Sequence, residues 1–205
     1  MKRKLPLVLI AISILIFVLI IAFIDSIGIS VFDLWFYNEI AEKMNPGFTL
    51  FMRFVTESGS TMAVMILCLS LFLFPKARKK WALPVSTSVA VAATLNSLLK
   101  LIFARERPNI LRLIDEFDYS FPSGHAMTNM AFYAIVLLLT WQYIKNKQLK
   151  YGISFICITM PLLIGFSRIY LGVHHATDVI AGWLLGFVIA AIVFIIFNKK
   201  KETNS

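Results

Sequence analysis

The stretch VIAGWLLGFVIAAIVFIIFN, residues 179–198, contains no Asp, Glu, Lys or Arg. In a helix rising 1.5 Å per residue, a run of this length covers about 30 Å, the hydrocarbon thickness of a bilayer. Five further stretches lack those four residue types: Leu5 to Ile24, Ser58 to Phe74, Trp81 to Leu99, Tyr119 to Ile144 and Tyr151 to Ser167. With 59% hydrophobic and 15% charged residues, the 205-residue chain departs far from the balance of a soluble protein. The expectation is an all-α integral membrane protein: one membrane domain over residues 1–205, with six transmembrane helices.

Lys2, Arg3 and Lys4 precede the first stretch, as in a secretory signal. The apolar run is too long for one and no small-x-small cleavage site follows, so it reads as a retained anchor. A net charge of +9 raises the question of nucleic acid, and the placement of that charge answers it. Thirteen of the twenty Lys and Arg fall in residues 2–4, 76–80, 145–150 and 199–201, at alternate ends of the six stretches. Positive loops on one side place both termini in the cytoplasm, where anionic lipid attracts them without a nucleic-acid partner. Cys68 and Cys157 lie inside apolar stretches and read as small fillers. Nothing in the sequence signals an oligomeric state.

In this topology residues 25–57, 100–118 and 168–178 face outward. Val31 to Met44 alternates Phe32, Trp35, Phe36, Ile40 and Met44 with Asp33, Glu39, Glu42 and Lys43 at helical spacing. An interfacial amphipathic helix between the first and second spans is the expectation. Rise per residue then puts Lys100 about 29 Å from Trp81 and brings Arg168 to the same face. Ser123 and Asp178 open the next spans there. Four helix ends thus gather cations, His and Asp at one membrane boundary.

Three motifs occupy those ends. They are Lys100, six residues, Arg107-Pro108; then Pro122-Ser123-Gly124-His125; then Ser167-Arg168, five residues, His174, three residues, Asp178. In that order, on an apolar chain, they resemble the type-2 phosphatidic acid phosphatase superfamily. The resemblance covers about residues 50–198, the expected catalytic region, with no departure at any motif position.

The residues suit phosphoryl transfer on chemical grounds. Negative charge spreads over three equatorial oxygens in the transition state, and catalysis is chiefly positioning and electrostatic stabilisation. Lys100, Arg107 and Arg168 can supply the positive charge, Arg through forked contacts and Lys as a point charge. Ser123 and Gly124 open a helix whose free N–H groups favour an anion. Lone cations at a membrane boundary commonly snorkel, which is the reading for Arg53 and Arg105. His174 and Asp178, four residues apart, share a face if the last helix reaches back through Gly172; otherwise the turn must join them.

The resemblance implies roles. His174 is the nucleophile, oriented by Asp178; His125 protonates the leaving oxygen and then activates water; Lys100, Arg107, Ser123, Gly124 and Arg168 bind phosphate. His175 competes for the nucleophile's role but does not fit the motif spacing. Glu57, in Thr56-Glu57-Ser58-Gly59-Ser60, is a candidate for substrate binding or phosphate release, beside a reading as a polar helix start with Gly59 for close packing. No metal or other cofactor is expected, because three cations oppose a divalent ion and supply its charge.

The implied partner is a phosphorylated lipid in the bilayer. Phosphatidylglycerol phosphate is favoured, with undecaprenyl pyrophosphate, the cell-wall lipid carrier, as the alternative and phosphatidic acid also fitting. A transporter would place its polar residues near the midplane rather than at one boundary. A phosphotransferase would pass phosphate to an alcohol instead of water. The related soluble vanadium haloperoxidases lack six spans.

Overall fold

Eight α-helices carry the chain in the computed structural model, which describes residues 4–75, 78–110 and 112–202. They are α1 Lys4–Phe23, α2 Ile27–Ala41, α3 Pro46–Ser58, α4 Thr61–Phe72, α5 Leu83–Phe103, α6 Gly124–Tyr143, α7 Lys147–Tyr170 and α8 Ala176–Glu202. A π-helical turn, Arg78–Ala82, leads straight into α5. Several starts follow from capping chemistry. Ser26, Asn45, Ser60 and Asn146 accept from backbone N–H groups of Ile29, Phe48, Ala63 and Leu149, each occupying one of the donors a helix leaves unpaired.

The centre is built by α5, α6 and α8, where Val85, Ala92, Met127, Ala131, Ile135, Leu185, Ile189 and Val193 form one buried cluster. Helix α6 packs most extensively against α8. Glycine makes that approach close: a Cβ on Gly186 would lie 2.4 Å from the Met127 carbonyl oxygen, and one on Gly182 2.8 Å from that of Ser123. The Gly182-x-x-x-Gly186 spacing puts both on one face, as small residues allow between apolar helices. Outside this trio, α1 packs on α8, α7 on α6, and α3 on α7. The outer faces carry exposed Leu15, Leu69, Ile102 and Phe155.

All six apolar stretches are largely helical. Three helices are long and apolar enough to cross a membrane: residues 78–103, α7 and the 176–199 part of α8, or up to five spans if α1–α2 and α3–α4 each count as one bent span. His125, Thr128 and Asn129 in the first turns of α6 hold its hydropathy down. The second stretch departs from expectation. Only twelve of its residues form α4, and α3 precedes it at a 45° bend where Gly59 and Ser60 interrupt the helix.

Helix α2 departs further from the expected Val31–Met44. It runs Ile27–Ala41, turned 105° from α1, and buries Asp33, Tyr37 and Ile40. Trp35 and Phe32 are exposed. The spacing of Asp33, Tyr37 and Ile40 is itself helical, so periodicity alone could not tell which of two faces looked inward. Of the basic residues behind the expected topology, Lys2, Arg3 and Lys76 lie outside the described residues.

Candidate active site

The ends of α5, α6, α7 and α8 meet, and they bring the three motifs together. At the end of α7, Gly172 adopts φ 73°, the left-handed conformation that glycine takes without a Cβ penalty. Backbone N–H groups of Val173 and His174 then turn back onto the Arg168 carbonyl at 3.2 and 3.3 Å. Helix α8 does not extend back through Gly172, so this turn is what joins His174 to Asp178. His174 Nδ1 lies 3.5 Å from Asp178 Oδ2. No hydrogen bond closes across that gap, and Nδ1 is buried without another partner among the described residues.

The other ring nitrogen faces positive charge: His174 Nε2 is 3.3 Å from Arg107 Nη1. Arg107 is fixed by donating to the carbonyls of Val173 at 2.6 Å and Asp118 at 2.7 Å. Burial pushes the His174 imidazole down and, although Asp178 raises it, Arg168 and Arg107 depress it further, to about 4. The ring is therefore neutral near pH 7, as a nitrogen nucleophile must be.

Helix α6 is aimed at this place by both neighbours. Asn96 of α5 donates to the Pro122 carbonyl at 3.0 Å, and the Ser123 N–H donates to the Asp178 carbonyl at 3.0 Å. A Cβ on Gly124 would come within 3.0 Å of Asn96 Oδ1, so a larger residue there would press on that contact. Ser123 stands at the N-cap, but its hydroxyl does not cap the helix as expected. It is buried and unpartnered among the described residues. His125 is half-buried one residue on, close enough to Arg168, His174, Lys100 and Arg107 to feel their charges.

Lys100, Arg107 and Arg168 converge as the motifs imply, but their charge is already partnered. Asp118 pairs with both Lys100 and Arg107, and Glu116 pairs with Arg168. Burial raises the Asp118 carboxyl, yet the two cations outweigh it and hold it below the usual carboxylate range. Arg168 keeps one unpartnered nitrogen, Nε, and donates from another to Thr56 at 2.8 Å.

Thr56, not Glu57, is thus the α3 residue that reaches the cluster; Glu57 is exposed on the last turn. Arg105 is no snorkelling anchor. It donates to Asp178 Oδ1 at 2.6 Å, Asp33 Oδ2 at 2.9 Å and Thr177 Oγ1 at 2.9 Å. Arg53, the other cation given that reading, donates to the Leu113 carbonyl at 2.7 Å. His175 lies 3.8 Å from Asp33, and burial lowers its pKa. A sequence signal for Asp33 existed, a lone carboxylate between Ile27 and Phe36, and intramembrane or interfacial carboxylates are commonly functional. For Thr56 and Asn96 no such signal stands out. Among the described residues, no group of three His, Cys, Asp or Glu is placed to hold a metal ion.

The sequence model of the PAP2 superfamily matches residues 81–202. An undecaprenyl-diphosphatase of Sulfolobus acidocaldarius is 33% identical over 192 residues, covering 85% of this chain and 84% of that protein. Phosphatidylglycerophosphatase B of Bacillus subtilis is 36% identical over 103 residues, 48% of this chain, and the match spans about half of that protein, 49%. The crystal structure of a transmembrane PAP2-type phosphatidylglycerolphosphate phosphatase from Bacillus subtilis superposes with a TM-score of 0.83 at 25% identity, covering 93% of this chain and 96% of that one.

Proposed function

The chain belongs to the PAP2 superfamily, and from that membership we propose that it is a membrane lipid phosphatase working through a phosphohistidine on His174. The observation that carries the reading is the pair of contacts on one ring. Asp178 lies behind Nδ1 at 3.5 Å, and Arg107 stands beside Nε2 at 3.3 Å, where phosphorus would arrive.

In the first step His174 Nε2 attacks phosphorus, the P–O bond to the lipid breaks, and His125 gives its proton to the departing oxygen. In the second, His125 takes a proton from water, the water oxygen bonds to phosphorus, the P–N bond breaks and inorganic phosphate leaves. Lys100, Arg107 and Arg168, together with Ser123 and the α6 N-terminus, stabilise the three equatorial oxygens. Acid–base help of this kind is worth about 10² to 10⁴ in rate. Three cations supply the charge that a divalent ion supplies elsewhere, so turnover is expected to persist in chelator.

The reading extends to six spans in one membrane domain, chemistry within residues 50–198, cytoplasmic termini and an outward-facing site. Phosphatidylglycerol phosphate is the favoured substrate, on the likeness to the Bacillus subtilis proteins. Undecaprenyl pyrophosphate is the second reading, on the relative that aligns over most of this chain. Phosphate release from these two lipids and phosphatidic acid, by purified protein in detergent with EDTA, tests the assignment. Fastest release from phosphatidylglycerol phosphate is expected. Preference for the pyrophosphate would select the second reading, and transfer to an alcohol without free phosphate would make the protein a phosphotransferase.

A further inference from the structure

Behind the His174–Asp178 pair lies a second layer of charge that the motifs do not include. Arg105 bridges two buried carboxylates, donating to Asp178 Oδ1 at 2.6 Å and to Asp33 Oδ2 at 2.9 Å. Asp33 belongs to α2, at the far end of the sequence, and its side chain is only 2% exposed. It also accepts from the Thr177 N–H at 2.9 Å and the Thr177 hydroxyl at 2.7 Å. Thr177 sits in the first turn of α8, directly before Asp178, so Asp33 ties down a free N–H of the helix that carries the orienting carboxylate. Asp178 Oδ2 meanwhile accepts from the His175 N–H at 2.8 Å.

We propose that Asp33 and Arg105 are positioning residues for the phosphoryl-transfer reaction, holding Asp178 in place and in charge balance so that it orients His174. The inference rests on the phosphohistidine reading. Phosphorylation of Nε2 turns the imidazole cationic, and the countercharge must already be in position. Asp33, Arg105 and Asp178 together carry one net negative charge beside that ring. Without Asp33, Arg105 would neutralise Asp178 and the triad would offer none. Without Arg105, two carboxylates would face each other with no cation between them. Helix α2 is thereby part of the catalytic apparatus through hydrogen bonds, in addition to any contact it makes with lipid.

The test is a double-mutant cycle on a soluble aryl phosphate, which needs no lipid approach along α2. Outer partners of catalytic histidines in metal sites typically matter by about 10- to 100-fold. Asp33→Asn is therefore expected to lower kcat by about that factor, with KM nearly unchanged. In an Asp178→Asn background the same substitution should cost less than about threefold, since the group it acts through is gone. Arg105→Gln gives a second, independent entry to the cycle and should show the same coupling. Equal losses in both backgrounds, as misfolding would cause, or a loss confined to KM, would overturn the assignment. His174→Ala separates the two ideas: an active His174→Ala defeats the phosphohistidine reading itself, whereas additive losses beside an inactive His174→Ala defeat only the role of Asp33 and Arg105.

Discussion

His174 and Asp178 are joined by a turn rather than by a shared helical face, with 3.5 Å between Nδ1 and Oδ2. A separation of this size is common in a resting site, where catalytic hydrogen bonds tighten once substrate is bound. Burial, with Arg168 and Arg107 adding to it against the pull of Asp178, keeps the ring neutral down to about pH 4 instead of the ordinary 6.5. The unfolded chain therefore binds a proton on this residue between about pH 6.5 and 4 that the native protein does not. The contribution of this residue to stability in detergent should rise with pH across that window and level off on either side of it. His174→Gln should flatten the slope, and an unchanged slope in thermal melts would contradict the buried, neutral imidazole.

On the proposed reading, Asp118 and Glu116, paired with Lys100, Arg107 and Arg168, compete with phosphate for these cations, and substrate displaces them. Asp118→Asn removes a competing charge from Lys100 and Arg107. A hydrogen bond between charged groups is worth about 1.5 to 3 kcal/mol, so competitive inhibition by inorganic phosphate should tighten by about ten- to a hundredfold. Weaker inhibition would mean that Asp118 holds the two cations in place for the ligand.

The α6–α8 contact supports the site from below. Gly186→Ala puts a Cβ 2.4 Å from the Met127 carbonyl, a distance that requires the helices to part. Overpacking of this kind costs about 1–3 kcal/mol. Thermal melts in detergent should show a loss of that size, and turnover should fall with it because α6 carries Ser123 and His125. A fully stable Gly186→Ala protein would mean the two helices approach less closely.

Topology is open to direct labelling. On a background without Cys68 and Cys157, an impermeant thiol reagent applied to intact cells should modify Arg112→Cys and leave Arg78→Cys unmodified. The reverse pattern would put the site on the cytoplasmic side.

Much of this molecule could be read from its residues. Uncharged stretches announce helices because a bilayer-length apolar run has few other solutions, and the three motifs carry chemistry at fixed spacing. What escaped has physical causes. Gly59 and Ser60 break a helix within an apolar run, and hydropathy does not register a bend. Arg105 and Asp33 are 72 residues apart, and the charge of each reads as solvated until the fold buries them together. Helix α2 offers two faces of similar periodicity, so only packing reveals that Asp33 points inward. The Gly182 and Gly186 spacing was present in the sequence and becomes meaningful once α6 lies against it.

The central claim is a covalent bond between His174 and phosphate, and trapping it is the most direct measurement. Purified protein mixed with a ³²P-labelled lipid phosphate and quenched in alkali should retain label that is stable to base and released by acid, as phosphohistidine is. His174→Ala should carry none, and Asp178→Asn less than wild type, with turnover falling in parallel. Full labelling and turnover in His174→Ala, or label with the opposite stability, would contradict the mechanism.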